Sequence, residues 1–231
     1  MIKTQEEISK LQMASKIADD CFKYICNEIK VGMTEKEIAK KMDRFMFDKG
    51  AEALAFETIV GSGVNSAQIH SSPTDRQIEN GDIILLDFGC KYQGYCSDIS
   101  RTIFVGSVSE EQRQIYNIVL EAQLTATKNI KAGMQCCEAD ALARDVIKNN
   151  GYDFAHSLGH GVGVEVHENP VISPKNDKEK LENNMVFTIE PGIYLENKFG
   201  VRIEDTVVLE NGNVKSLNNV TKDIIIIKNN W

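Results

Sequence analysis

No stretch of this sequence stays apolar for the roughly 18 residues that a membrane-spanning helix needs. It also lacks a charged-then-apolar start, so neither a signal peptide nor a membrane span is expected. Excess positive charge is missing too: 26 Lys and Arg against 34 Asp and Glu leave a net charge of −8 over 231 residues. That balance argues against nucleic acid or an anionic membrane as partner, since both demand basic patches. The six cysteines (Cys21, Cys26, Cys90, Cys96, Cys136 and Cys137) form no CxxC pairs of the zinc type. Without an export signal they read as cytoplasmic thiols, mostly buried as small apolar residues. Histidine is scarce. Three of the four, His156, His160 and His167, fall within Phe154–Pro170, and the fourth is His70. A lone histidine is ordinarily a surface or satisfied residue, but three within a dozen positions point to a site. HExxH is absent. Gly159, Gly161 and Gly163 approach a dinucleotide loop, yet Val164 stands where its third glycine belongs and no helix start follows. These glycines are expected to let backbone pass close to a ligand or to metal ions.

What is present is organised around GDIILLDFGCKYQGYCSDISRTIFV, Gly81 to Val105. It reads as a β-hairpin, an apolar run and a β-branched run joined by a polar turn containing Gly94. Folded about Tyr92–Gln93, it sets Asp87 opposite Asp98, with Cα atoms about 4.5–5.5 Å apart. Two carboxylates that close inside a sheet repel and are costly to desolvate, and a metal ion between them is the usual remedy.

The chain then repeats the device. In NNMVFTIEPGIYLENKFGVRIEDTVVLE, Asn183 to Glu210, a hairpin centred on Asn197 sets Glu190 opposite Glu204. Upstream, Ile29–Met33 recurs as Ile130–Met134, and Gly50 recurs as Gly151. The fold class is therefore α+β: one domain over 1–231, made of pseudo-symmetric halves, about 1–129 and 130–231, meeting at a four-carboxylate site. Helices are expected after Thr4 with Glu7, after Thr34 with Glu37, after Ser109 with Gln112, and from about Cys137 to Asn149. Ala51 to Val60 reads as one strand, and Ile224 to Ile227 as a short one.

Four carboxylates with one or two imidazoles match a dinuclear site for Mn²⁺, Co²⁺, Fe²⁺ or Zn²⁺, with ions roughly 3.5 Å apart. Oxygen-rich ligation places Mn²⁺ first. The chemistry such a site performs is hydrolysis of an amide or ester by a water activated between two metals, with a carboxylate taking the proton and neutral histidines steadying the oxyanion.

The pattern resembles the pita-bread metallopeptidases, the group of methionine aminopeptidase, aminopeptidase P and prolidase. It covers nearly the whole chain through DFG (Asp87), CSDISRT (Asp98), GHG (His160), TIEPG (Glu190) and RIEDT (Glu204). The resemblance implies two halves around a central antiparallel sheet. It implies that these five residues ligate two divalent metal ions, Asp98 and Glu204 bridging. His70 and His167 then contact substrate and stabilise the tetrahedral intermediate, and Glu190 also accepts the water proton.

Within the group, HSLGHGVGVEVHENP with His156, and GVRIEDT with Arg202, look like the Xaa-Pro branch. The expected activity is removal of an N-terminal residue ahead of proline from a peptide substrate, with His156 and Arg202 in substrate binding. Methionine aminopeptidase is the alternative. Xaa-Pro enzymes carry an additional N-terminal domain that helps form a homodimer, whereas this chain starts almost at the catalytic domain, as a bacterial methionine aminopeptidase does. His70 is followed by Ser-Ser-Pro where relatives commonly have glycine next. A third reading is a non-catalytic binding module on the same fold, against which stand all five expected ligands and all four histidines.

Overall fold

Thr4, Thr34 and Ser109 each accept a hydrogen bond from the backbone N–H three residues on, and the Glu or Gln there bonds back to the cap. These reciprocal caps start α1 (Gln5–Glu28), α2 (Glu35–Asp48) and α3 (Glu110–Asn129), as the sequence predicts. The fourth helix, α4 (Cys136–Asn149), begins one residue before its expected start, where the Gln135 N–H is held by Glu138 Oε2 at 2.9 Å. Gly50 and Gly151, at φ of +97° and +84°, follow α2 and α4 in the left-handed conformation that glycine adopts at no steric cost. The computed structural model describes residues 1–228.

After α1 and α2 come β1 (Ala53–Leu54), β2 (Ile59–Ser62), β3 (Ile83–Phe88), β4 (Cys90–Tyr92), β5 (Tyr95–Cys96) and β6 (Ile99–Val105). After α3 and α4 come β7 (Gly159–Gly161), β8 (Glu168–Ile172), β9 (Val186–Ile189), β10 (Gly192–Leu195), β11 (Phe199–Arg202), β12 (Asp205–Glu210), β13 (Asn213–Ser216) and β14 (Ile226–Ile227). The central strands make two half-sheets, ordered β14-β6-β3-β2 and β13-β12-β9-β7-β8, antiparallel except that β14 runs parallel to β6. The strand expected over Ala51–Val60 is broken into β1 and β2, and the break holds Phe56 and Glu57, which line the central cavity.

The internal repeat is structural. Gly32 N–H donates to Ile78 O at 2.9 Å and Ile78 N–H to Met33 O at 2.8 Å; Gly133 N–H donates to Leu181 O at 2.7 Å and Leu181 N–H to Met134 O at 2.9 Å. Each half buries its own apolar core. One packs α1 and α2 on β3 and β6 around Phe22, Met42, Leu86 and Ile103. The other packs α3 and α4 on β9 and β12 around Tyr116, Val119, Phe187 and Val207.

The register of the first hairpin differs from the sequence reading. Asp87 faces Ser100, not Asp98, and the turn is Gln93–Gly94, flanked by the Tyr92–Tyr95 pair. Both turn residues have positive φ, +47° and +81°, the backbone of a two-residue turn whose twist suits a hairpin. The slip is of two residues, so the carboxylates keep the same face. In the second hairpin Ile189 faces Asp205 and Gly192 faces Arg202, so Glu190 and Glu204 fall opposite one another in the gap between, as read.

Arg101 bolts the halves together. Only 1% exposed, it reaches from β6 to Asp205 Oδ1 at 2.7 Å, Val220 O at 3.2 Å and Thr221 O at 3.1 Å, and also donates to Glu204 O. Arg101→Ala strands the Asp205 carboxylate with Lys222 as its remaining cation. Unfolding in urea should show a loss of roughly 3 kcal/mol, the low end for breaking a buried pair, with the slope little changed. An unmoved midpoint would show that Arg101 is no bolt.

Candidate active site

All the residues singled out from the sequence line one cavity of about 500 Å³: His70, Asp87, Asp98, His156, His160, His167, Glu190, Arg202 and Glu204. Asp87 comes from β3, Asp98 from the entry to β6, Glu190 from the end of β9, and Glu204 from between β11 and β12. His160 is the middle residue of β7, while His70 sits on the loop between β2 and β3. The glycines beside His160 serve neighbouring backbone rather than a ligand. A Cβ at Gly159 would lie 1.9 Å from Thr188 O, and one at Gly161 would lie 2.3 Å from Asn169 O. They let β7 lie close against its sheet neighbours, with His160 between them.

Ligand atoms of Asp98, His160 and Glu204 all lie within 4.8 Å of one another. Glu190 joins through His160, whose Nε2 is 3.3 Å from Glu190 Oε1 and 3.5 Å from Asp98 Oδ2. The other ring nitrogen, Nδ1, is 3.1 Å from Gly161 O, so it takes the donor role and leaves Nε2 as the ligating atom. Asp87 stands beyond the trio, one oxygen paired with Arg202 Nη2 and the other, Oδ1, buried with no partner among the described residues.

Charge in this cavity is badly balanced. Asp87, Asp98, Glu190 and Glu204 face the single Arg202 guanidinium, and a fifth acid, the exposed Glu57, also lines the cavity. Burial, then Glu204 and its fellow acids, push Asp98 well above the usual carboxylate range. Burial and the neighbouring Glu190 and Asp87 do the same to Glu204. Asp87 is raised by burial despite Arg202. Burial would raise Glu190 as well, but His160, His156 and Arg202 together outweigh that and hold it low. Burial lowers His156. It also lowers His167, whose ring centroid is 4.2 Å from that of His160.

A chain of hydrogen bonds ties the acids to His156. Arg202 Nη1 donates to Tyr194 Oη at 2.8 Å, so that hydroxyl donates on to His156 Nε2 at 2.9 Å. His156 Nδ1 then donates to Ser157 O at 2.9 Å. Arg202 Nε also reaches Ser100 Oγ at 2.8 Å, and Ser100 donates to Glu204 Oε2 at 2.6 Å. Tyr194 and Ser100 escaped the sequence reading. The available sign for Tyr194 was its two glycines: a Cβ at Gly192 or Gly200 would lie 2.6–2.8 Å from the tyrosine side chain.

The donor set fits divalent metal ions. Hard carboxylate oxygens, one imidazole with Nε2 turned toward Glu190 and Asp98, and an orphaned buried Asp87 Oδ1 lie in a cavity where burial and mutual repulsion push Asp98 and Glu204 upward, a strain that added positive charge would relieve.

Comparison with known proteins agrees. A model of metallopeptidase family M24 matches residues 9–211. The chain is 47% identical over 227 residues to a protein named Xaa-Pro dipeptidase from Pyrococcus furiosus, covering 97% of this chain and 65% of that one. A solved Xaa-Pro dipeptidase from Bacillus anthracis gives a TM-score of 0.95 at 45% identity, over 97% of this chain and 64% of that one. An X-Pro aminopeptidase from Thermotoga maritima gives 0.96 at 46% identity, over 98% and 65%. The chain thus spans about 65% of the length of the curated relatives it matches. Its two pseudo-symmetric halves have the pita-bread architecture of the solved prolidases. With the family model matching most of its length, the chain belongs to metallopeptidase family M24.

Proposed function

We propose that residues 1–231 form the catalytic domain of an exopeptidase that hydrolyses N-terminal Xaa-Pro bonds, of the aminopeptidase P or prolidase type. The observation that carries this is the convergence of four carboxylates, from matching hairpins of both halves, with His160 on one cavity wall. The Xaa-Pro names of the relatives support the proline branch. A cytoplasmic location goes with the six free thiols, and a homodimer completes the reading.

Asp87, Asp98, His160, Glu190 and Glu204 would hold two divalent ions, with Mn²⁺ favoured by the oxygen-rich set over Co²⁺, Fe²⁺ or Zn²⁺. Once bound, such ions supply a polarised substrate carbonyl and a water acidified toward neutrality. Glu190, its Oε1 already held by Thr188 Oγ1 at 3.0 Å, takes the water proton. His167 is kept neutral by burial and by His160, so it donates a hydrogen bond to the developing oxyanion without carrying charge. His70 orients the substrate from the facing loop. Proline offers no amide N–H at the scissile bond, so its ring must be recognised by shape. His156 serves there as a fixed wall, edge-on to Phe154 with centroids 4.9 Å apart and braced by Tyr194 and Arg202.

Elemental analysis should find about two equivalents of divalent metal per chain. Asp98→Ala should lose metal and turnover together while keeping its circular dichroism. Full turnover in chelator-stripped protein would end the metallopeptidase reading.

His160→Ala and His167→Ala should fail differently. The first should lose metal. The second should keep it and lower kcat by roughly 10²–10³, the cost of one oxyanion donor. Equal metal loss in both would reverse the assignment of roles.

On a peptide panel, kcat/KM for Xaa-Pro substrates should exceed that for Met-Ala substrates by at least about tenfold, roughly 1.4 kcal/mol. His156→Ala should narrow that ratio with metal content unchanged. A preference for Met-Ala would make the enzyme a methionine aminopeptidase, and no turnover of either would leave a binding module.

A further inference from the structure

Glu35 is fully buried at the first position of α2, away from the ligand cluster. Its carboxylate is surrounded by donors. Oε1 accepts from Ser62 N–H at 2.7 Å, Ser62 Oγ at 2.6 Å and Asn65 Nδ2 at 3.0 Å. Oε2 accepts from Thr74 N–H at 2.9 Å and Thr74 Oγ1 at 2.6 Å. Ser62 and Thr74 bound the 62–74 loop that carries His70, the first part of the longer connection from β2 to β3. The middle of that loop rests on the second half, through Gly200 N–H to Ser66 Oγ at 2.9 Å and Arg202 Nη1 to Ile69 O at 3.3 Å.

We propose that Glu35 is a positioning residue for His70, its buried carboxylate clamping both ends of the loop that brings the histidine into the cavity. The inference rests on the catalytic reading of His70 given above.

The fold itself does not require this carboxylate. In the second half the matching position is Cys136, equally buried and in the same backbone bond: Glu35 N–H donates to Arg76 O at 3.2 Å, and Cys136 N–H to Glu179 O at 3.0 Å. A small apolar side chain suffices there. A buried acid is tolerated only where its lone pairs are filled, and here the donors come from the ends of one loop. Burial raises its pKa, but the bonds from Ser62 and Thr74 outweigh that and hold it below the ordinary value. An amide cannot replace it, because its NH₂ would face one of the two backbone donors.

The test is Glu35→Gln, alone and combined with His70→Ala, in the full chain loaded with Mn²⁺. The single variant should keep its metal and lower kcat/KM on an Xaa-Pro peptide by roughly tenfold to a hundredfold, as a misplaced catalytic group does. In the His70→Ala background the same change should add no more than about twofold. Amide hydrogen exchange across residues 62–74 should quicken while β3 and β6 stay protected. Losses that multiply in the double variant, or unchanged exchange in the loop, overturn the proposal. Wild-type protein that cleaves no Xaa-Pro peptide defeats the functional reading instead, and the exchange experiment then decides the clamp alone. If Glu35→Gln does not fold, Thr74→Val removes one hydroxyl from the clamp and should move both readouts the same way by less.

Discussion

Four carboxylates share a buried wall with one guanidinium, and much of the molecule exists to hold them there. Burial and mutual repulsion drive Asp98 and Glu204 well above their ordinary range, which favours their neutral forms. Arg202 is placed against that tendency, paired with Asp87 and linked through Ser100 to Glu204. Arg202 is itself only 2% exposed, and its Nη1 donates to Tyr194 and the Ile69 carbonyl. A cation buried this deeply is tolerable because its donors are matched by acceptors. The remaining imbalance is what divalent metal ions would neutralise.

A duplicated fold suits such a site. Each half contributes a hairpin with two acids, and the halves meet where β6 packs against β11 and β12. Thr102 Oγ1 both donates to Arg202 O at 2.9 Å and accepts from Arg202 N–H at 3.1 Å, and Glu204 N–H reaches Ser100 O at 3.1 Å. Bonds from the first half thus fix the backbone that carries Arg202 and Glu204 in the second. Neither half could place the cluster alone.

Symmetry is kept where packing matters and dropped where chemistry does. The helix pairs, the glycines that follow them and the crossing bonds of Ile78 and Leu181 repeat closely. The histidines do not: three lie in the second half, and the first supplies His70 on a loop whose ends meet at Glu35. Where the second half has Cys136, the first has that acid.

The helices, three of their caps, the duplication and nine of the residues lining the cavity were readable in the sequence, because each depends on local chemistry: a cap three residues from its partner, glycine in a left-handed turn, acids on alternating strand positions. The second hairpin's register was readable for the same reason. The first was not, since Gln93 gives little hint that it adopts positive φ, and the pairing slips by two with the turn. Tertiary structure alone decided the partners of Arg101 and Arg202, the role of Tyr194, and the loop ends gathered at Glu35. Those bonds join residues up to 133 positions apart along the chain, as in Arg202 to Ile69. Spacing in a sequence reports which face a side chain takes on its own helix or strand, but which distant atom that face meets is set only when the elements pack.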